Sequence, residues 1–474
     1  MEQQISAADQ INETLTPVAD FVSSIVFFSI DINGVALPLV VIWLIGAGIV
    51  TTVYLRFVNI RGFLEAFRII RTPEKRTDHP GEITHFQALT AALSGTVGLG
   101  NIASVPVAIA LGGPGAAFWM VLAGFLGMTT KFVECTLAVK YRRINPDGTV
   151  SGGPMYYIEH VFRRMGVGPL GRALAVFFAI MTLGGSMSVF QVNQAHAQFT
   201  AATGVSAPLI FGILMSGAVG LVILGGIRSI ARVTSRLVPL MAIIYLAAGV
   251  IILIVNAPGV PTALWAIIHD AFAPDAVAGG MIGAMIQGIR RATYSSEAGV
   301  GSAAIAHSAV KTDTPITEGY VALLEPFTDT VVVSLMTALI IVVTGSHLLY
   351  VPGEVEGIQL TSAAYESVFG WFPIILSISA MLFAFSTLVT WAFYGVKAVT
   401  YMVGESKIAE LIYKIALVAI LSTGAAISLS AVIDFIDSML FAMAAPNIIA
   451  LYLLLPEVRR DMLAYEKRRK FERG

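Results

Sequence analysis

The chain has 474 residues, of which 56% are hydrophobic and only 12% are charged, and its mean hydropathy is +0.81. Soluble domains carry about 25% charged residues, so this composition excludes an ordinary water-soluble enzyme. The 29 basic and 30 acidic residues give a net charge of −1, which leaves no basic surface for nucleic acid. The single cysteine, Cys135, excludes an internal disulfide, and no Cys/His cluster predicts a structural metal. We interpret the chain as a polytopic protein of the lipid bilayer.

The N-terminal segment 1–35 contains no Lys or Arg, whereas a secretory signal peptide begins with positive charge. We therefore expect the first apolar run to be retained as a membrane span and this segment to lie outside the cell. Apolar runs of about 20 residues, enough to cross a bilayer as a helix, recur along the chain. Eleven spans are predicted, at 36–55, 86–111, 115–139, 173–199, 207–226, 237–256, 277–308, 326–345, 371–396, 409–431 and 433–455.

The distribution of Lys and Arg orients these spans, because basic residues in short loops collect on the cytoplasmic side. Basic residues follow every second span and fill the tail 456–474, whereas the segments 1–35, 257–276 and 346–370 contain none. The first basic loop includes Lys75 and Arg76. The pattern predicts a multi-pass protein of the cell (inner) membrane, with the N-terminus outside and the C-terminus in the cytoplasm.

The two spans at 86–111 and 277–308 are interrupted by glycine and polar residues, and each is followed by four more apolar spans. Glycine can also serve close helix packing in membranes, but two breaks in corresponding positions favour an inverted repeat. We predict an all-α fold of about eleven transmembrane helices, with two inverted five-helix halves. The divisions are a peripheral helix at 36–55, a cytoplasmic amphipathic loop at 56–85, the two halves at 86–256 and 277–455, and a basic tail at 456–474.

The first interrupted span contains the run Leu93-Ser-Gly-Thr-Val-Gly-Leu-Gly-Asn101. Each glycine costs about 1 kcal/mol relative to alanine inside a helix, so Gly95, Gly98 and Gly100 favour unwinding here. Unwound backbone in a membrane is tolerated only where it is buried in protein or lines a cavity. Freed N–H groups can bind a carboxylate and freed carbonyls a hard cation such as Na⁺, so this segment predicts a binding site.

The run SGTVGLGNIASVPVAIALGGPGAAFWM, with GMTTKFVECTLAVKYR, SGGPMYYIEHVFRRMG and YSSEAGVGSAAIAHSAVKTDTPITEGYVALLEPFTDT, resembles the alanine or glycine:cation symporter family. The resemblance extends from about residue 36 to residue 455. It implies a sodium-coupled amino-acid symporter with the leucine-transporter fold, ten core helices and one additional N-terminal helix.

The same run is similar to the VGLGN…P motif of neurotransmitter:sodium symporters. That similarity implies that the amides of Leu99 and Gly100 hold the substrate carboxylate, and that the carbonyls of Ser94 and Val97 bind sodium. We expect the neighbouring residues to line the same substrate site; they are Thr96, Gly98 and Asn101.

Charged residues interrupt the second span, where they are costly in the bilayer. One hypothesis has Ser295 and Ser296 line the site while Glu297 pairs with an arginine; the other gives the charges a structural role. We favour the structural role for Arg290, Arg291 and Glu297. The family pattern usually has Asn at the position of Ser296.

Two further spans carry polar groups that the resemblance assigns to the site. Gln191 and Asn193 are similar to a Gln-x-Asn element that faces the amino acid, although amides in membrane helices can also serve helix packing. Ser386 and Thr387 resemble a hydroxyl pair that completes the sodium site, and Trp391 is expected to limit side-chain size. Outside the site, Lys131 and Glu134 are predicted to pair, and three aspartates near span ends to pair or cap: Asp329, Asp434 and Asp437.

These features together predict a secondary transporter that imports a small neutral amino acid with Na⁺ by alternating access. The substrate is alanine, or alternatively glycine or serine, and no cofactor is expected beyond the coupling ion. A proton-coupled transporter with Glu297 as the carrier is the alternative. An intramembrane enzyme is disfavoured because HExxH and GxSxG motifs are absent, and a channel because the polar breaks are localised.

Overall fold

The computed structural model describes residues 22–32, 35–72, 79–273, 280–352, 355, 357–426 and 429–473. Most of the predicted external N-terminal segment, Lys75, Arg76, the first residues of the 277–308 span and the side chain of Asp434 lie outside this description.

The described fold is almost entirely helical, with two short antiparallel hairpins. The strands are β1 Ser29–Ile32, β2 Val35–Pro38, β3 Arg143–Ile144 and β4 Val150–Ser151. The helices of the first half of the chain are α1 Leu39–Tyr54, α2 Val58–Arg61, α3 Phe63–Arg71, α4 His85–Thr96, α5 Val105–Gly112, α6 Gly115–Lys140, α7 Pro154–Arg164, α8 Gly168–Ser186, α9 Val189–Thr203, α10 Pro208–Ile223, α11 Gly226–Val255 and α12 Val260–Asp270. The remaining helices are α13 Gly280–Ser296, α14 Ala304–His307, α15 Pro315–Ala322, α16 Leu324–Pro326, α17 Leu335–Thr344, α18 Ile358–Glu366, α19 Phe372–Val403, α20 Lys407–Thr423 and α21 Leu429–Arg473. Two π-helical segments, Gly100–Ser104 and Phe327–Ser334, and short 3₁₀ turns connect them.

Within the described residues, six helices are long and apolar enough to cross a membrane, and a seventh span results if a bent pair is counted. The bent pair is α4 with the helix from Gly100 to Gly112, which meet at 42°. This bend confirms the break predicted in the first interrupted span. The apolar helices α1 and α10 are shorter, with 16 residues each.

Three predicted spans differ from the structure. The span at 173–199 is divided into α8 and α9 at Ser188, whose φ is 32°. The span predicted at 326–345 begins instead at Pro315, because the helix continues through Glu318 and Glu325. The predicted tail at 456–474 is helical in its described part and prolongs α21.

The segments predicted to be cytoplasmic contact one another. Arg142 donates to the carbonyls of Pro80 and Thr312, and a parallel bridge joins Ile83 to Val310. At the other side of this surface, Tyr465 of α21 donates to Glu65 of α3 over 2.9 Å. Four of the segments predicted to be cytoplasmic are therefore joined by direct contacts.

Glycine brings the central helices close together. A Cβ at Gly288 of α13 would lie 2.4 Å from the carbonyl oxygen of Ala116, and one at Gly319 of α15 would lie 2.2 Å from Thr136. Both partners belong to α6, so α6, α13 and α15 are in backbone contact. Such close approach is how membrane helices gain packing energy without a hydrophobic driving force. The group holds both interrupted spans in the centre of the molecule.

Candidate functional site

At the first helix break, backbone N–H groups lose their helical partners and donate to uncharged side chains instead. After Thr96 the chain becomes extended at Val97, which has φ −74° and ψ 91°. The amide of Gly98 donates to the side-chain oxygen of Asn101 over 3.0 Å, and the amide of Leu99 donates to Gln191 over 3.2 Å. The break therefore presents amides to side chains instead of to a helical turn.

Thr387 of α19 faces this break. Its side chain is buried, and Oγ1 has no hydrogen-bond partner among the described residues. A Cβ added at Gly98 would lie 2.6 Å from that oxygen and 3.5 Å from the Gln191 amide. A buried hydroxyl without a partner costs about 1–3 kcal/mol, which a bound ion or polar ligand can offset.

The predicted sodium ligands come from the two helices that meet here. Ser94 of α4 donates its hydroxyl to the carbonyl of Ser386 over 2.7 Å, and Ser386 donates to Phe383 over 3.0 Å. One turn along α19, Thr390 donates to the carbonyl of Ala91 over 3.2 Å. These bonds hold Val97 and Thr387 on facing sides of the break. Neutral oxygens of this kind suit a hard monovalent cation, and the unpartnered Thr387 hydroxyl fits that requirement.

A second polar group joins the first interrupted span to the second one. Asn101 donates its amide to Ser295 over 2.8 Å and to the Asp329 carboxylate over 2.7 Å. Ser295 donates to the other oxygen of Asp329 over 2.6 Å, and Ser334 accepts from Asn101 over 3.0 Å. Asp329 is fully buried in the π-helical segment, in the middle of the span Pro315–Thr344, so its predicted position near a span end is wrong.

The second break is also unwound, and charged side chains occupy it. Glu297 has φ 53°, and its carboxylate accepts from Trp391 Nε1 over 3.1 Å and from the hydroxyl of Ser302. The hypothesis that Glu297 pairs with an arginine, which was not the favoured one, is therefore wrong. Arg290 and Arg291 lie 3.1 and 3.5 Å from Asp437, which confirms a pairing role for that aspartate.

Gly299 completes the second break. Its amide donates to Glu134 over 2.9 Å, and its carbonyl accepts from Asn447 over 2.8 Å. Asn447 also donates to Glu134 over 2.7 Å and accepts from the Tyr157 hydroxyl. Lys131 pairs with Glu325 over 3.1 Å, so the predicted pair of Lys131 with Glu134 is wrong.

The structure does not bring every predicted substrate residue to the first break. The hydroxyl of Thr96 faces carbonyls of its own helix, and Ser296 donates to Ala292 one turn back. Asn193 lies two residues from Gln191, about 200° around α9, and accepts from Gln194 over 3.1 Å. Trp391 lies beside Gly185, where an added Cβ would be 3.0 Å from its ring.

Two aromatic residues at the first break were not foreseen from the sequence. A Cβ at Gly100 would lie 3.0 Å from the ring of Tyr294, and that ring packs against Phe190 with centroids 5.8 Å apart. Tyr294 directly precedes Ser295 in the interrupted span, so its position in the chain was the available signal. The pair forms an apolar wall next to the freed amides.

Comparison with known proteins identifies relatives of this chain. The chain is 37% identical over 438 residues to the sodium/alanine symporter AgcS of Methanococcus maripaludis, covering 92% of this chain and 96% of that protein. It is 33% identical over 430 residues to the amino-acid carrier protein AlsT of Bacillus subtilis, covering 90% and 89%. The solved structure of MhsT in complex with L-phenylalanine superposes with a TM-score of 0.54 at 15% identity, over 80% of this chain and 98% of that one. That likeness shows a shared fold of the leucine-transporter type.

The model of the sodium:alanine symporter family matches residues 22–473, nearly the whole described chain. A membrane transporter without enzymatic activity accounts for the apolar helices and the two helix breaks. The chain belongs to the sodium:alanine symporter family.

Proposed function

We propose that this protein imports a small neutral amino acid, with alanine as the first candidate and glycine or serine as alternatives, in symport with Na⁺. The observation that supports this most directly is the first break, where freed amides and the unpartnered Thr387 hydroxyl meet in one buried place. Alternating access then moves both ligands across the cell membrane without chemical change.

The amino-acid carboxylate binds the amides of Leu99 and Gly100 at this break. In the structure the Gln191 oxygen accepts from Leu99, so Gln191 must release this amide when the carboxylate arrives. The Tyr294 ring lies next to Gly100 and narrows the space beside the amides, which favours alanine over large amino acids. Asn101, through Ser295, connects the carboxylate position to the second interrupted span.

Sodium binds between α4 and α19, with carbonyls of Ser94 and Val97 and hydroxyls of Ser386 and Thr387 as ligands. The contact between Ser94 and Ser386 already aligns the two helices, and rotation of the Thr387 hydroxyl is the main change needed. Because the amino acid and the ion share one break, each should favour closure around the other. The coupling is then reciprocal, so alanine tightens Na⁺ as much as Na⁺ tightens alanine.

The proposed membrane arrangement has eleven spans in two inverted halves after a peripheral helix. The segments 86–256 and 277–455 form the halves, and the N-terminus lies outside with the C-terminus in the cytoplasm. The mutual contacts of the basic segments support placing them on one side.

The test is uptake of labelled alanine into proteoliposomes under an imposed sodium gradient. We expect Na⁺-driven uptake by the native protein and its loss in Thr387→Ala. Thr400→Ala is the matched control, because Thr400 is on the same helix and donates to Lys397 of its own turn. Sodium dependence that is unchanged in Thr387→Ala would overturn the ion site, and absence of sodium-driven uptake of alanine, glycine and serine would overturn the function.

A further inference from the structure

A set of ionisable side chains crosses the protein core outside the proposed amino-acid and Na⁺ sites, and two of its members, Glu134 and Glu297, belong to the second break. The members, called here the core ion network, are Lys131, Glu134, Glu297, His307, Glu318 and Glu325, with His85 at one end. All except His85 are at most 2% exposed, and the His85 side chain is 13% exposed. They come from α4, α6, the second break and α14 to α16, the helices that surround both interrupted spans.

The contacts run without a gap from the surface into the core. His85, the first residue of α4, contacts Glu318, whose other oxygen lies 2.5 Å from Nδ1 of His307. The Nε2 atom of His307 lies 3.4 Å from Glu325, and Glu325 lies 3.1 Å from Nζ of Lys131. Acidic and basic groups alternate along this chain, so each group has a possible proton donor or acceptor beside it.

The inner end of the network lies at the second break. Glu134 follows Lys131 by one turn of α6 and accepts from the amide of Gly299 over 2.9 Å. Two residues earlier, Glu297 accepts from Trp391. The chain of direct contacts from His85 therefore ends at Lys131, and Glu134 and Glu297 at the unwound part of the second span act on the Lys131 ammonium through their charge.

The charges of the network do not balance in their ordinary states. Four carboxylates face one ammonium when both histidines are neutral, which leaves a net charge of −3 in a buried volume. Each unpaired charge at such depth costs at least about 2.5 kcal/mol and by some measures above 10. Protonation of His85 and His307 and one further proton on a carboxylate bring the sum to zero.

Neighbouring groups do not supply the missing positive charge. Beside the buried members lie the side chains of Cys135, Tyr157, Tyr294, Asp329 and Tyr394, none of which is basic. At the outer end, Glu65, Arg68, Arg468 and Arg469 line a cavity together with His85, and Arg469 pairs there with Glu65. Neutrality of the buried members is therefore reached by binding protons.

Unsatisfied polar atoms converge on the middle of the network. Lys131 Nζ, His307 Nε2, both oxygens of Glu325 and the hydroxyl of Tyr394 are buried and lack a well-oriented hydrogen-bond partner among the described residues. Converging donors and acceptors of this kind are where buried water is found in proteins. A water molecule at this point would bridge these atoms, so that each proton transfer would follow a single hydrogen bond.

We propose that the core ion network is a proton-binding site that exchanges protons with the cytoplasm through His85, and that its proton occupancy changes during each transport cycle. The second clause rests on the proposed function, because the cycle is that of the symporter. The proposal assigns the proton to the histidine and carboxylate pairs around His307, and not to Glu297 alone.

The transfer needs no other reactant. A hydronium ion from the cytoplasm gives a proton to Nε2 of His85 and leaves as water, and the proton on Nδ1 of His85 passes to the near oxygen of Glu318. After rotation of its carboxyl group, Glu318 passes this proton to Nδ1 of His307. His307 then releases its Nε2 proton to Glu325, so that the network gains one proton. When the cytoplasmic half of the first interrupted span swings open, His85 leaves Glu318 and water reaches the carboxylate. An ionised Glu318 is then solvated, and the protons leave by the reverse path.

The first test does not depend on transport. Infrared spectra of the purified full-length protein in lipid nanodiscs, recorded across a pH series without substrate, should show the carbonyl band of a protonated carboxylic acid at neutral pH. Glu325→Gln should remove or shift it, whereas the control Glu366→Gln, at an exposed position of α18, should leave it. Absence of such a band in the native protein at neutral pH would overturn the proton site.

The second test follows protons during transport. Proteoliposomes with a trapped pH dye and a clamped membrane potential receive Na⁺ and alanine, and we expect a luminal pH change that accompanies uptake. His307→Gln should abolish this change, while His269→Gln, on the exposed face of α12, should keep it. His85→Gln is the milder variant at the edge of the network and should slow proton exchange.

The two tests fail in different ways. Alanine uptake with no luminal pH change, and with the same pH profile in native protein and His85→Gln, would overturn the link to the cycle. If none of the three candidate amino acids is taken up, the proposed function and the link to its cycle both fail, and the infrared band still decides the proton site.

Discussion

The two helix breaks differ in what meets their freed backbone groups. At the first break, neutral side chains such as Gln191 meet the amides, and the Thr387 hydroxyl has no partner in the described structure. At the second break, Glu134 and Asn447 bind both backbone groups of Gly299. A neutral, incompletely paired break can exchange partners with a ligand, whereas a break fixed by a buried carboxylate resists exchange. Unwinding alone therefore does not identify a binding site; the partners of the freed groups do.

The largest effect is expected from removing the support of the second break. Asn447→Leu deletes donations to Glu134 and to the Gly299 carbonyl and leaves the Tyr157 hydroxyl without its acceptor. Each buried group left unsatisfied costs about 1–3 kcal/mol, so we expect a loss of about 3–5 kcal/mol of folding free energy. Thermal unfolding in detergent measures it. Asn256→Leu at the end of α11 is the control, and equal unfolding curves for the two variants would contradict the assignment.

At the first break we expect a substitution to lower the folding free energy less and the ligand affinity more. In Gly98→Ala the new methyl group lies 2.6 Å from the Thr387 hydroxyl, in the space assigned to the ligands. We expect affinities for Na⁺ and alanine to fall about 10–100-fold, corresponding to about 1.4–3 kcal/mol. Equilibrium binding to the purified protein measures this. Gly217→Ala is the control because no heavy atom lies within 4 Å of its added Cβ; unchanged affinity in Gly98→Ala would separate this break from the ligands.

The arginine pair beside the second break should show compensation. Arg290 and Arg291 share Asp437, so Arg290→Gln or Arg291→Gln alone leaves the buried carboxylate with one partner. We expect about 1 kcal/mol from either change and about 3 kcal/mol from both, since the double variant leaves Asp437 unpaired. A double-mutant cycle of unfolding free energies measures the difference, and strict additivity would show that the two pairs act independently.

The smallest effect is expected at the proposed cytoplasmic surface, outside both breaks. Burial tends to raise the pKa of the Glu159 carboxyl, but donors from Tyr401 and Arg172 outweigh it and the pKa lies below its ordinary value of 4.5. A lowered pKa stabilises the folded state above the unfolded value, and this contribution is lost as pH falls through the folded value. The native protein should therefore exceed Glu159→Gln in melting temperature at neutral pH, and the gap should narrow as pH falls below 4.5. A gap that is constant with pH would contradict this role.

Hydropathy and glycine placement predict the helical membrane class and the first break, because both depend on local sequence. The beginning of the helix at Pro315 was not predictable in this way, since Glu318 and Glu325 read as loop residues until their buried partners are known. Gly184 and Gly185 closely precede the break at Ser188, but glycine also serves close packing in continuous membrane helices, so the φ of 32° in the folded chain was needed to locate the break.

The predicted site residues also divide into those that local sequence places correctly and those whose position depends on the folded chain. Leu99, Ser386 and Thr387 are assembled at the break because their helices meet there, and their ligand roles stay predictions. Helical geometry already separates Asn193 from Gln191, since residues two apart face different sides of a helix. The contact of Asn101 with both Asp329 and Ser334 depends on a π-helical turn, for which the sequence gives no signal.

The helix α21 continues for 45 residues from Leu429 to Arg473, about 68 Å at 1.5 Å per residue. It holds the second break through Asn447 and reaches α3 through Tyr465, so one continuous helix connects both places. Pro446 lacks an amide hydrogen and weakens the helix next to Asn447, so the helix can bend at this position. About 39 Å of helix, with a second proline at Pro456, lies beyond it, and a tilt of about 5° of this stretch as one piece displaces the far end by about 3 Å. A small movement of α21 at the second break therefore becomes a larger movement at its far end, near α3.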